Sequence, residues 1–173
     1  MNNTIFKFDS PKNEPIYDYS LKEHKDSIIS ELKKYSKGEI EIPLIIGGKE
    51  VYTGKTGKVV MPHNHSHVIA TYHKATEKEV KLAIDEALKA RQEWMTLSWV
   101  ERASICLKIA DLLSKKYRYT INAATMLGQS KNIFQAEIDS AAETIDFLRY
   151  NAFFASKIYS EQPKSDFDQL NRL

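Results

Sequence analysis

Three carboxylates lie close together in an apolar-rich run near the C-terminal end of the sequence, namely Glu137, Asp139 and Glu143. Neighbouring carboxylates can serve as general acids or bases, or can bind a polar group of a substrate. Glu137 and Asp139 fall in the first turns of a predicted helix, where acidic side chains favour the helix dipole and need no other explanation. Glu143 lies further along that helix, so it belongs either to a solvated face or to a functional site.

Three histidines, His63, His65 and His67, alternate along the chain. On a strand this spacing would place them on one face, as in a metal site. Pro62 and Asn64 favour a loop, and no cysteine or carboxylate is near in sequence. We therefore interpret them as surface or hydrogen-bonded histidines and assign no metal ligand. An unchanged melting temperature on addition of zinc would exclude the metal hypothesis.

The single cysteine, Cys106, would need a stabilised and accessible thiolate to act as a nucleophile. It falls instead at a predicted core position between Ala103 and Ile109, where a structural thiol is the usual outcome. A lone cysteine also excludes an internal disulfide and fits a reducing compartment. We therefore assign no catalytic residue and expect an intracellular, cytoplasmic protein.

Gly48 and the triplet Gly54-Lys55-Thr56 resemble a phosphate-binding loop, but one residue too many separates the two glycines. Such a loop also requires a helix N-terminus directly after it, and no helix is predicted after Thr56. The sequence contains no G-x-G-x-x-G dinucleotide motif. We therefore predict a hairpin turn here and assign no cofactor-binding residue.

The bulk composition sets the class of protein. The 173 residues are 42% hydrophobic and 28% charged, which is typical of one soluble domain. The 25 basic and 23 acidic residues are spread along the chain, so no basic surface for nucleic acid is indicated. No stretch approaches the length of a membrane span, and the first thirty residues contain no apolar signal segment. We expect neither a nucleic-acid nor a membrane partner.

Capping-box spacings predict where the helices begin. The pairs are Ser20 with Glu23, Thr76 with Glu79, Ser98 with Glu101, and Asn132 with Gln135. The first helix should run from Leu21 to about Lys37 and end at Gly38, and Gly128 should form the left-handed cap of a helix that begins at Tyr119.

The last helix should run from about Ile133 to Ser160, roughly 40 Å in length. This is about twice the typical helix of a globular protein. Two apolar stripes precede it, and both need a covering surface: Val80, Ala83, Ile84, Ala87 and Trp94 form one, and Ala103, Cys106, Ala110 and Leu113 form the other. Together with the long helix, they indicate that the body they pack against is larger than this chain.

Between residues 38 and 76, short apolar runs alternate with glycines and Pro62. This pattern predicts a small antiparallel hairpin or meander. The expected fold class is α+β, predominantly helical. We divide the chain into an arm and helix (1–41), a hairpin or meander (42–75), a helical part of an incomplete domain (76–163) and a truncated tail (164–173).

Taken together, these segments resemble the N-terminal part of an aldehyde dehydrogenase. The hairpin IIGGKEVYTGKTGKVVMPHNHSHVIATYHKAT is followed by AIDEALKARQEW, ERASICLKIADLL and DFLRYNA in the order and spacing of that family. MPHNHSHVIA, MLGQSKNIFQAEIDSAAETIDFLRYNA and EQP resemble more closely its 1-pyrroline-5-carboxylate, or L-glutamate γ-semialdehyde, dehydrogenase branch. The resemblance covers the chain from about Ile42 onward and implies the N-terminal part of an α/β NAD-binding domain.

This resemblance implies NAD-dependent oxidation of glutamate semialdehyde to glutamate, the second step of proline breakdown. The family's catalytic cysteine, oxyanion donors and pyrophosphate site come later in its sequence and have no counterpart here, so we expect this chain to be inactive alone and not to bind NAD. Glu143 matches a glutamate that borders the aldehyde pocket in this branch, which makes it our substrate-binding candidate. We expect a homo-oligomer when the protein is full length. The alternative is a stand-alone helical module that binds a partner protein through its uncovered apolar stripes.

Overall fold

A computed structural model of the protein describes residues 8–38, 40–161 and 163–171. Its helices, π-helical segments and strands follow one another along the chain in this order: α1 (Lys22–Tyr35), β1 (Ile40–Ile42), β2 (Leu44–Ile46), β3 (Lys49–Val51), β4 (Thr56–Met61), β5 (Asn64–His73), α2 (Glu77–Thr96), α3 (Trp99–Leu112), π1 (Leu113–Tyr117), α4 (Arg118–Gln129), α5 (Ile133–Ala136), π2 (Glu137–Ala142) and α6 (Glu143–Ser160). The expected α+β class with a helical majority is confirmed.

The strands form two small sheets. β2 and β3 make a tight antiparallel hairpin around Gly47 and Gly48, both of which have positive φ. β4 and β5 form a second antiparallel pair, and β1 adds to the other edge of β5 in parallel, with Ile40 opposite Ala70. The antiparallel pairs confirm the predicted hairpin or meander. The parallel strand was not predicted, because three residues are too few to give a periodic signal.

A compact apolar cluster joins the larger sheet to the helices. Met61 and Ile69 from the β4–β5 hairpin pack with Leu127 of α4, and Leu32 and Tyr35 of α1 cover them. Apolar side chains removed from water contribute about 25 cal/mol per Å² of buried surface. The cluster therefore fixes α1 and α4 against the hairpin and orients the helices that follow.

Three of the four predicted capping boxes are confirmed, those that begin at Thr76, Ser98 and Asn132. The one predicted at Ser20 is wrong. Helix α1 begins at Lys22 after Leu21, which makes no side-chain capping bond. The reason is local, since the Ser20 amide donates to Asp18 Oδ1 at 2.9 Å and the Leu21 amide to the Asp18 carbonyl. These bonds form a turn that places Leu21, and not Ser20, directly before the first residue of the helix.

The predicted cap at Gly128 is also wrong. Helix α4 continues through Gly128 to Gln129, and the left-handed residue is Ser130, with φ of 56°. The Ser130 hydroxyl lies 2.6 Å from His63 Nδ1 in the β4–β5 turn. This contact holds Ser130 at the helix end and explains why a non-glycine residue adopts the left-handed conformation there.

The two predicted apolar stripes differ in burial: residues of the α3 stripe are buried, and the α2 stripe remains exposed. Ala103 and Ala110 of α3 are buried where α3 packs on α6. Helix α2 has no buried residue, and Val80, Ile84 and Trp94 remain 50, 55 and 45% exposed. None of the helices in the described part of the chain combines the length and apolar character needed to cross a membrane.

His73, at the end of β5, forms hydrogen bonds with the loop that joins β3 to β4. Its side chain is 6% exposed, and its Nδ1 accepts hydrogen bonds from the amides of Thr53 and Gly54 at 2.9 and 3.2 Å. Because Nδ1 accepts, the ring proton must reside on Nε2, which lies 2.8 Å from Glu41 Oε1. The imidazole therefore ties this loop to strand β1.

We expect His73→Phe to lower the free energy of unfolding by about 2 kcal/mol, because the amides of Thr53 and Gly54 lose their acceptor. The phenyl ring still fills the space of the imidazole. Urea denaturation followed by circular dichroism measures the loss. Glu41→Gln is the matched control, since its amide oxygen can still accept from Nε2 and the Glu41 side chain is 58% exposed. A loss in Glu41→Gln equal to that in His73→Phe would contradict this role of the ring.

Candidate functional site

A buried ion cluster lies where the N-terminal arm crosses the last long helix. Arg118 and Glu137 are 1% and 0% exposed, and Glu14 of the arm is 7% exposed. Arg118 Nη1 donates to Glu14 Oε1 at 2.5 Å, and Arg118 Nε donates to Glu137 Oε1 at 3.0 Å. Its second terminal nitrogen bonds both Glu137 and the Pro15 carbonyl. One guanidinium thus joins three segments that are distant in sequence.

The Glu137 carboxylate is fully supplied with donors. Besides Arg118, it accepts from the Tyr17 amide at 2.8 Å, the Tyr19 hydroxyl at 2.8 Å and Asn122 Nδ2 at 2.7 Å. Burial alone would raise the pKa of Glu137, but these hydrogen bonds and the charge of Arg118 outweigh it and hold the pKa below its ordinary value. Glu137 is therefore an ionised, buried carboxylate.

Burial and hydrogen bonding also shift the pKa values of Glu14 and Tyr19. Burial opposes ionisation of Glu14, yet hydrogen bonds from Ser114, Arg149 and Arg118 leave its pKa lowered. Burial and the hydrogen bond to Glu137 raise the pKa of Tyr19, which keeps the phenol protonated as a donor. Within the described residues, Asn122 Oδ1 is the one buried side-chain nitrogen or oxygen without a hydrogen-bond partner.

This cluster corrects the sequence-based interpretation of Glu137. The helix dipole is not the reason for its position, because its side chain points inward and pairs with Arg118, 19 residues earlier. Asp139 differs, being 45% exposed at the side chain and bonded to Lys131 at 2.6 Å. Sequence patterns predict neither Arg118 nor Glu14 as a member of the cluster, because no local spacing links residues 19 and 104 positions apart.

Glu143 is the first residue of α6 and is exposed. Phe147, Phe154 and Ile158 follow it at spacings of four, eleven and fifteen, and so lie on the same side of the helix. These three are 59, 47 and 66% exposed. No hydrogen bond or ion pair of the Glu143 carboxylate occurs among residues 8–38, 40–161 and 163–171. Glu143 thus stands at one end of an uncovered apolar strip, with a carboxylate free to meet a ligand.

The remaining sequence candidates are not brought together. His63 contacts Ser130, whereas His67 Nε2 lies 2.6 Å from the Ser36 carbonyl, and His65 is exposed. Across the residues with described positions, no group of three potential ligands could hold a metal ion. Cys106 is a half-buried free thiol on α3.

The predicted hairpin turn is confirmed only at Gly48, which lies in the β2–β3 turn; Gly54 lies in the loop between β3 and β4, which belong to different sheets. Gly54 has φ of 75°, and strand β4 begins at Thr56, so no helix N-terminus faces this loop. The parallel pair β1–β5 likewise carries no glycine-rich connection to a helix. On this geometry we assign none of the described residues to a nicotinamide cofactor.

Comparison with known proteins identifies the family. The sequence profile of the aldehyde dehydrogenase family matches residues 51–172. The probable delta-1-pyrroline-5-carboxylate dehydrogenase of Schizosaccharomyces pombe is 44% identical over 160 residues, 91% of this chain and 29% of that protein. The mitochondrial delta-1-pyrroline-5-carboxylate dehydrogenase of Dictyostelium discoideum is 40% identical over 91% of this chain and 28% of its own length.

Solved structures agree with these relatives. The Delta-pyrroline-5-carboxylate dehydrogenase from Mycobacterium tuberculosis superposes with a TM-score of 0.93 at 38% identity, covering 98% of this chain and 32% of that one. A second structure of the same enzyme, with bound NAD, superposes with a TM-score of 0.91. The chain spans less than a third of the length of these relatives. On this match over most of its length, the chain belongs to the aldehyde dehydrogenase family.

Proposed function

We propose that this chain is the N-terminal part of an NAD-dependent L-glutamate γ-semialdehyde (1-pyrroline-5-carboxylate) dehydrogenase, which oxidises the aldehyde to glutamate in proline degradation. The observation that carries the proposal is the superposition of nearly the whole chain on the M. tuberculosis enzyme. In the overall reaction, aldehyde, water and NAD⁺ give the carboxylate, NADH and protons. NAD supplies the hydride acceptor when bound to the complete enzyme.

The segment contributes a wall of the substrate pocket and no reacting group. Glu143 is the residue we propose to face the aldehyde substrate, because it is exposed and has no partner in the described structure. Cys106 is not assigned as the nucleophile, since it lies on α3 beside the buried Ala103 and Ala110. The division at residues 41, 75 and 163 remains part of this proposal, with 76–163 as the helical portion of the incomplete NAD-binding domain.

The experiment that tests this function compares the full-length protein with the 173-residue chain. We expect the full-length protein to reduce NAD in the presence of glutamate semialdehyde, and the isolated chain to show no turnover. Full-length protein without this activity would contradict the proposal. Turnover by the isolated chain would contradict the claim that it lacks the reacting groups. The alternative function, a helical module that binds a partner protein by itself, is favoured by one observation, the exposed apolar stripe of α2. This alternative applies only if the chain is not part of a longer protein.

For the full-length protein, we expect Glu143→Ala to lower kcat/KM for glutamate semialdehyde by about tenfold or more, because a substrate contact is lost. The KM for NAD should change little. Steady-state kinetics with each substrate varied in turn measures both. Glu77→Ala is the matched control, since Glu77 is also an exposed glutamate at the first position of a helix. Wild-type kinetics in Glu143→Ala would remove Glu143 from the pocket.

The assembly and the compartment are also proposals. We propose a homo-oligomer for the full-length protein, which size-exclusion chromatography with light scattering would test. We propose that the full-length protein is located in the cytoplasm, because the single cysteine of this chain, Cys106, fits a reducing compartment. Several relatives are named mitochondrial, including those of Dictyostelium discoideum and Homo sapiens. Imaging of the tagged full-length protein separates the two compartments.

A further inference from the structure

Two sets of contacts hold the last long helix from different directions. On the side of α4, Glu137 bonds Arg118 and Asn122, and the Ser140 hydroxyl accepts from Thr125 Oγ1 at 2.8 Å. Further along, Ile145, Ala152 and Ser156 are 0, 4 and 3% exposed and form the buried side of α6. The first anchor is polar and the second is mainly apolar.

In an uninterrupted α-helix the two anchors would point in different directions. At about 100° per residue, the mean direction of Ala136, Glu137 and Ser140 differs by about 130° from that of Ile145, Ala152 and Ser156, and Glu137 itself differs by about 80°. The π2 segment lies between the two anchors and occupies Glu137–Ala142. A π turn contains more residues than an α turn, so each residue rotates the chain less, and six of them remove most of the mismatch.

A second π-helical segment lies at the same point. π1 spans Leu113–Tyr117 and ends directly before Arg118, while π2 begins at Glu137 itself. The buried ion pair therefore joins the first residue of π2 to the residue that directly follows π1. Short π segments are less stable than α-helix and are frequent at functional sites. Glu137 has five hydrogen-bonding contacts that would be lost or distorted if its end of the helix rotated.

We propose that Glu137, held by Arg118, is a positioning residue that maintains π2 and so sets the direction of Glu143 in the aldehyde pocket. Glu143 is the first residue after π2. If the Glu137 contacts were lost, π2 could relax to α-helix by rotating one half of the helix relative to the other. Glu143 stands at that junction, so its carboxylate would be displaced. This inference rests on the proposed function, because it gives Glu143 a substrate to meet.

A double-mutant cycle in the full-length enzyme tests this coupling. Glu137→Gln and Glu137→Asp are each made alone and together with Glu143→Ala, and kcat/KM for glutamate semialdehyde and KM for NAD are measured. We expect Glu137→Gln to reduce kcat/KM on the order of tenfold, because a small displacement of a positioned group is costly. Glu137→Asp, which keeps the charge, should lose less. In the Glu143→Ala background, Glu137→Gln should cause no further loss beyond about twofold.

Controls separate positioning from loss of stability. Glu101→Ala removes the side-chain acceptor from the capping box of α3 at a site away from π2 and should lower the melting temperature without changing KM for either substrate. If Glu137→Gln does not fold, Ser140→Ala replaces it in the same cycle, since it removes only the bonds from π2 to Thr125 and the Ile121 carbonyl.

The outcomes distinguish this inference from the function on which it rests. Wild-type kinetics in Glu143→Ala would overturn the assignment of Glu143 and, with it, the positioning role. If the fold-loss of kcat/KM in the double variant equals the product of the losses in Glu143→Ala and Glu137→Gln, the two residues act independently. That result would overturn the positioning role of Glu137 but not the assignment of Glu143. Wild-type kinetics in a folded Glu137→Gln enzyme would also overturn it. Non-additive losses, with KM for NAD unchanged, would support it.

Discussion

Arg118→Met is expected to lower the free energy of unfolding by about 3–5 kcal/mol, the largest effect of any single substitution proposed for this chain. Methionine fills much of the space of the arginine stem but provides no donor. Glu14 and Glu137 would then be two buried carboxylates without the cation that they share. Since a typical domain is stable by only about 5–15 kcal/mol, the variant should be at or near the threshold of unfolding.

Arg149→Met is the matched control, because Arg149 also pairs with Glu14 but its side chain is 28% exposed. Its removal leaves Glu14 bonded to Arg118, so we expect a loss of about 1 kcal/mol or less. Urea denaturation of the two variants and the parent, followed by circular dichroism, gives the comparison. Equal losses in Arg118→Met and Arg149→Met would show that burial of the guanidinium is not what makes the cluster important.

The features predicted correctly from sequence are those that a few neighbouring residues determine. The capping boxes at Thr76, Ser98 and Asn132 each join residues three apart, so the sequence contains both partners of every bond. The glycine pair of the β2–β3 hairpin is equally local. Ser20 has the same spacing with Glu23, but Asp18 competes for its amide and a turn forms instead.

The ion cluster could not be predicted in the same way. Glu137 occupies a position that the helix dipole already explains. Its partner Arg118 lies 19 residues earlier, and Glu14, which binds the same guanidinium, lies more than one hundred residues earlier. The irregular turn could not be predicted either. Residues before and after Glu143 follow one α-helical stripe, so the sequence pattern contains no shift in phase; they are Ile138, Ala141, Ala142, Ile145, Leu148 and Phe153.

Acidification should destabilise the protein more than its near-neutral net charge suggests. The pKa values of Glu14 and Glu137 are lower in the folded protein than the ordinary glutamate value of 4.5. A group with a lowered folded pKa adds stability that is complete above its unfolded pKa and is lost as the pH falls through the folded pKa. We therefore expect the urea midpoint to be nearly constant from pH 7 to about pH 5.5 and to fall steeply below about pH 4.5.

Glu137→Gln shows whether the buried cluster causes this acid sensitivity. We expect the variant to be less stable at pH 7, but it lacks one of the two buried titrating groups, so its urea midpoint should fall less between pH 5.5 and pH 4. Glu79 and Glu101 also have lowered pKa values because they bond to Thr76 and Ser98. Both are surface capping residues whose contribution is screened by solvent, and both are retained in the variant. An equally steep fall in Glu137→Gln would assign the acid sensitivity to the surface carboxylates and remove the buried pair as its cause.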